Sequence, residues 1–127
     1  MRLVVDVRIS VPAPSTAVAD LVRDPASWPA MPGATLTLRV EPGASPREYR
    51  YRIVSGLPVR EHRGTVELVD TDTGGTEIVL VESFRPRIWG TGGYLRGRRE
   101  RAMIDAARQW GQGAAGQAAQ SDQDRTT

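Results

Sequence analysis

The chain contains no cysteine and no lysine, and it has one histidine, His62. Without cysteine there is no thiol nucleophile and no thiolate metal site, and the absence fits a reducing compartment. All seventeen basic residues are arginine, so neither a Schiff-base lysine nor a P-loop lysine is available. A single imidazole cannot build a two-histidine zinc motif, and no metal site and no cofactor are expected. No apolar run approaches the ~18 residues needed to span a bilayer. The opening MRLVVDVRIS alternates polar and apolar residues instead of forming a signal-peptide core. The cytoplasm is therefore the expected location. The net charge is only +2, so the sequence pI of about 9.7 reflects a small excess of arginine, and nucleic acid is not an expected partner.

What is present suits one domain: 127 residues, 39% of them hydrophobic. Leu3, Val5, Val7, Ile9 and Val11 alternate with polar residues and predict a first strand with one buried face. Pro14 starts a helix, with Ser15 and Thr16 near enough to cap it and Val18, Leu21 and Val22 as its apolar stripe. Asp24-Pro25 predicts a second short helix through Trp28. Three further strands follow, over Thr35–Glu41, Arg47–Val54 and Val59–Asp70. The turn Asp72-Thr73-Gly74-Gly75 leads to a fifth, Thr76–Phe84. Gly90-Thr91-Gly92-Gly93 precedes a helix of about twenty residues with Leu95, Ala102, Met103, Ala106 and Trp110 on one stripe. Gly111 and Gly113 are read as its end. Residues 1–113 form the expected domain, and residues 114–127, with no periodic apolar face, the expected disordered tail. The fold class is α+β, with an antiparallel sheet in spatial order first, fifth, fourth, third, second, and the long helix across its concave face.

The phrases YRIVSGLPVREHRGTVELV, GGTEIVLVESFRP and GTGGYLRGRRERAM, in this succession, resemble the SRPBCC superfamily of START-like, helix-grip proteins. The nearest likeness is to its polyketide cyclase/dehydrase-like branch, and it covers residues 2 to 110. It implies a sheet curled around the C-terminal helix and an apolar ligand held between them. The family's second and third strands have no counterpart here, because only about fifteen residues separate Met31 from Arg47. Thr35–Glu41 is then left as a sheet edge, open to pairing with a second copy in a homodimer.

Strand alternation places the candidate site. Pairing Leu68 with Ile78 sets Val66 opposite Leu80, Gly64 opposite Glu82 and His62 opposite Phe84. Pairing Ile53 with Arg60 sets Tyr51 opposite His62 and Tyr49 opposite Gly64. His62 and Glu82 are the candidate acid–base pair, with Glu82 orienting the imidazole. The other reading is a satisfied structural pair. Tyr49, Tyr51, Leu80, Phe84, Tyr94, Met103 and Ala106 are the candidate ligand-binding residues. The run Arg85, Arg87, Arg96, Arg98, Arg99 and Arg101 reads as a solvated face, the other reading being attraction of an anionic ligand or an acidic carrier protein, and Trp110 reads as a packing anchor between helix and sheet.

Three functions remain open. One is binding of a small hydrophobic, lipid- or polyketide-like molecule. Another is a polyketide cyclase or aromatase using His62 and Glu82. The last is a protein-interaction module using the exposed sheet edge.

Overall fold

The computed structural model describes residues 2–28 and 37–125, with side chains described to residue 116. The first strand, β1 (Leu3–Val11), leads into helix α1 (Ser15–Val22) and a single 3-10 turn (Pro25–Ser27). Four strands follow: β2 (Thr37–Pro42), β3 (Glu48–Ser55), β4 (Val59–Asp70) and β5 (Thr76–Pro86). The long helix α2 spans Gly92–Arg125. The strands form one sheet in the order β1-β5-β4-β3-β2, with every neighbouring pair antiparallel. Fold class and strand order are as expected from the sequence. Residues 35 and 36 of the expected second strand lie outside the described residues. Among the described residues no helix is long and apolar enough to cross a membrane.

Alternation sorts the side chains as the pattern requires. Leu3, Val5, Val7 and Val11 are buried, whereas Asp6, Arg8 and Ser10 between them face water. Val66, Leu68, Ile78, Leu80 and Phe84 fill the same inner face from β4 and β5. Helix α2 packs on β1, β5 and α1, through Leu95, Met103, Ala106, Ala107, Trp110 and Ala114. Thr76 Oγ1 donates to the Ala13 carbonyl at 2.7 Å, tying the start of β5 to the chain that leaves β1.

Helix starts and ends differ from the expectation. Neither Ser15 nor Thr16 caps α1, because the cap position falls on Pro14, which has no polar side chain. The second helix is shorter than expected. It is one turn, with the Asp24 carboxylate accepting from the Ala26 N–H at 3.0 Å. Most notably, α2 does not stop at Gly111 and Gly113 but continues to Arg125, and Ala114 is buried. The two glycines serve close packing instead. A Cβ on Gly111 would lie 2.5 Å from Val11 Cγ1, and one on Gly113 would lie 3.1 Å from Leu21 Cδ1. They let α2 press against β1 and α1 at a small cost in helix propensity.

Register is corrected in two places. Leu68–Ile78, Val66–Leu80 and Gly64–Glu82 pair as expected, but His62 does not pair with Phe84, because the β4–β5 register shifts between Arg60 and Arg63. Glu61 has φ +51° at that point, the mark of an extra residue in the strand. The result is that Val59 and His62 both point inward with two exposed residues between them. On the other side of β4, Tyr49 pairs with Val66 and Tyr51 with Gly64, two residues from the expected alignment. The Tyr51 ring lies directly over Gly64, where a Cβ would come within 2.2 Å of Tyr51 Cζ. Glycine, with no side chain, admits this ring, which is why the strands align there. A two-residue offset preserves which face each side chain takes, so the candidate site survives the correction.

The tight contact gives a test. Gly64→Ala is expected to destabilise the protein by about 2–3 kcal/mol in urea denaturation, as overpacking of a rigid core site does. A variant as stable as the parent would show that the Tyr51 ring moves aside freely.

Candidate functional site

Four elements deliver one polar side chain each to the centre of the inner face. Glu82 comes from β5, Tyr51 from β3, His62 from β4 and Arg99 from α2. All four are buried, Glu82 completely. Arg99 grips the carboxylate at both oxygens, with Nε 2.6 Å from Oε2 and Nη2 2.7 Å from Oε1. The Tyr51 hydroxyl donates to Oε1 at 2.8 Å. His62 Nδ1 accepts the Ile53 N–H at 3.0 Å. That bond leaves the proton of the neutral ring on Nε2. Nε2 lies 3.0 Å from Glu82 Oε1, but without the alignment of an ordinary hydrogen bond. It adds an electrostatic contact beside the two well-formed ones.

The electrostatics follow from this packing. Burial pushes the Glu82 carboxyl upward, but the hydrogen bonds and charge of Arg99, together with the close His62 Nε2, outweigh it and hold the group at about 2. Burial likewise opposes the charge on Arg99, and its bond to Glu82 overcomes this, raising its pKa. Tyr51 is pushed well above the usual phenol value, first by burial and then by the carboxylate beside it. At neutral pH the centre is thus an ionised Glu82–Arg99 pair with a neutral phenol. A bidentate, doubly bonded pair is the arrangement that makes a buried charge tolerable.

An aromatic row borders this centre. The Trp28 ring lies 4.7 Å from the Tyr51 ring and 4.8 Å from that of Trp110, and Tyr51 lies 5.6 Å from His62. Trp28 Nε1 donates to the Val22 carbonyl at 3.0 Å, fixing the indole in place. Trp110 Nε1 is buried without a hydrogen-bond partner among the described residues.

The structure brings most of the sequence-predicted residues together. His62, Glu82 and Tyr51 are in contact, and Tyr49, Leu80, Phe84, Met103 and Ala106 belong to the surrounding buried cluster. Tyr94 is apart. It is exposed on the first turn of α2, where its hydroxyl accepts from Arg98 Nη1 at 2.6 Å and its ring carries the Arg98 guanidinium. Arg99 is the residue that sequence reasoning misassigned to the solvated arginine face. The signal was its spacing: four residues after Leu95 and four before Met103, it sits on the apolar stripe.

Two tests follow from the pair. Arg99→Met is expected to cost about 3–5 kcal/mol, the penalty for leaving a buried carboxylate unpaired. Adding Glu82→Gln to that variant should recover part of the loss in urea denaturation, and no recovery would show that the two groups act independently. The Glu82 carboxyl has a lower pKa in the folded than in the unfolded chain, so its contribution is present above about pH 4.5 and is lost as pH falls toward about 2. The loss is on the order of 3 kcal/mol. Acid titration of stability should therefore be shallower over that window in Glu82→Gln than in the parent.

No protein-family model matches the chain, and no curated protein sequence matches it. Solved structures do match. A START superfamily protein from Mycobacterium smegmatis has a TM-score of 0.71 at 10% identity, over 89% of this chain and 97% of that one. The ZhuI aromatase/cyclase from Streptomyces sp. R1128 has a TM-score of 0.65 at 18% identity, over 94% of both chains. A norcoclaurine synthase variant from Thalictrum flavum has a TM-score of 0.59 at 12% identity, over 93% of this chain and 97% of that one. At such identities the likeness is one of fold: this chain has the α+β helix-grip architecture that these solved structures share.

Proposed function

We propose that the protein binds a small, largely apolar molecule bearing a hydrogen-bond acceptor, between the inner face of the sheet and α2. The observation that carries the reading is the buried Trp110 Nε1–H, which has no partner among the described residues. A buried donor left unmade costs about 1–3 kcal/mol, and a ligand carbonyl or hydroxyl beside Trp110 would satisfy it. The neighbouring Trp28 and Tyr51 rings suit the flat face of a polyketide-like or other unsaturated compound. The layout of the fold supports the same place. Helix α2 packs chiefly on β1 and α1 and only lightly on β5, whereas the inner faces of β2 and β3 present Leu38, Val40, Tyr49 and Ile53.

The centre favours binding over acid–base catalysis. Glu82 is held ionised with Arg99 on both oxygens, and His62 has Nδ1 occupied by a backbone amide and Nε2 against Glu82. In this arrangement the cluster's role is to hold the wall of the site. It polarises the Tyr51 side of the cleft without exchanging protons with a substrate.

A thermal-shift screen of polyketide-like and other apolar aromatic compounds tests the proposal. Carbonyl-bearing members are expected to raise the melting temperature. Trp110→Phe keeps the ring and removes the N–H, and should weaken the best of them about 5- to 10-fold, the value of one hydrogen bond. No stabilisation by any compound would overturn the reading.

A further inference from the structure

The connection from β5 to α2 is the opposite of the core in character. Trp89 is 97% exposed and the adjacent Ile88 56%, with Tyr94 64% exposed just beyond. Tyr49, Tyr51, Phe84 and Trp110 are all buried. An exposed tryptophan next to an exposed isoleucine is an apolar feature that folding has not used.

The turn that presents them is well held. The Arg87 N–H donates to the Pro58 carbonyl at 2.8 Å, and Arg87 Nε to the Val59 carbonyl at 3.0 Å. Thr91 Oγ1 donates to the Ile88 carbonyl at 2.6 Å, and Gly90 makes the reversal at φ +85°. Trp89 also borders an open depression of about 470 Å³ lined by Leu3, Pro86, Arg87 and the glycines at 90, 92 and 93. The charge along this segment is mostly positive. From Arg85 to Arg101 the chain carries six arginines and one acid, Glu100. Of those six only Arg99 is buried in the core.

We propose that the Ile88–Trp89 turn is a docking site for an anionic lipid surface. Trp89 and Ile88 enter the headgroup layer, where the amphipathic indole is at home. Arg87 and Arg96, both exposed, face lipid phosphates at the same level. A short apolar tip with a basic surround is the two-signal pattern of reversible membrane attachment, hydrophobic insertion plus electrostatic attraction. A protein partner fits less well. Stable protein interfaces bury about 800 Å² on each side, and here the apolar element is two or three side chains on one turn. The inference does not depend on what the core binds.

The full chain is mixed with vesicles of phosphatidylcholine alone, or of phosphatidylcholine with phosphatidylserine, and binding is read by co-sedimentation and tryptophan emission. The expected result is binding to the serine-containing vesicles with a blue shift, weakened by added salt. Trp89→Ala, at a site with almost no packing to lose, should reduce binding about ten-fold or more and abolish the shift. Arg96→Gln should reduce binding roughly five-fold. Absence of vesicle binding at low salt, equal binding to both vesicle types, or binding unchanged by Trp89→Ala would each overturn the proposal. So would self-association of the parent that Trp89→Ala abolishes, which would make the turn a protein contact.

Discussion

The bidentate contact between Glu82 and Arg99 is the constraint on which the arrangement of this fold turns. A carboxylate at the centre of an apolar sheet face is expensive to bury, by several kcal/mol even after relaxation. Its partner must come from the element that covers the face, which is α2. Arg99 has Leu95 one turn before it and Met103 one turn after it on the same stripe. Sliding α2 along the sheet by one turn, about 5.4 Å, would put an apolar side chain against Glu82 and leave the carboxylate unpaired. Purely apolar packing would tolerate such a slip far better. The ion pair thus sets the position of the helix, whatever its net contribution to stability. Tyr51 and His62 extend the same constraint to β3 and β4, so one carboxylate connects four elements.

Two local backbone features make that convergence possible. Gly64 has no side chain, and the Tyr51 ring takes the vacant space to reach Glu82. The bulge at Glu61 turns β4 so that His62 and Val59 both face inward. Without the extra residue, strict alternation would put Arg60 inside in place of Val59. The left-handed conformation at Glu61 costs on the order of 1 kcal/mol or more, and keeping that guanidinium out of the core offsets it. Glu61 itself is exposed and pairs with Arg2, just before β1, and with Arg85 in β5.

Much of this was legible in the sequence, and the misses have physical causes. Alternation alone put Glu82 on the inner face with Ile78, Leu80 and Phe84, because a strand has no other way to place those side chains. It put His62 there too, although the pairing that led to it was two residues out of register on the β3 side. The bulge did leave a trace: Val59 and His62, both inward, are separated by two polar residues instead of one. Arg99 was hidden by its neighbours, because in a run of arginines composition suggests a surface while spacing selects one member for the core. Tyr94 was placed on the ligand face, but the adjacent Leu95 is the residue that turns inward. The helix end was misjudged because glycine has two uses. Gly111 and Gly113 read as terminators, yet each lies where α2 is packed tightly against another element, at Val11 and at Leu21.

The short segment after β1 has a larger part than its length indicates. Because α2 lies over β1 and β5, the inner side of β3 needs a different cover, and Trp28 supplies it by standing between Tyr51 and Trp110. Several weak interactions hold it there. Pro25 starts the 3-10 turn with its φ already restricted, Asp24 caps it, and Ser27 Oγ donates to the carbonyls of Leu21 and Asp24. The indole N–H is bonded back to Val22 at the end of α1. The polar end of Trp28 is thus satisfied within its own segment, and its ring is free to face the aromatic row. Trp110 differs in this respect. Its neighbour in that row, Trp28, has committed its polar group to Val22, whereas among the described residues the buried Trp110 N–H has no hydrogen-bond partner.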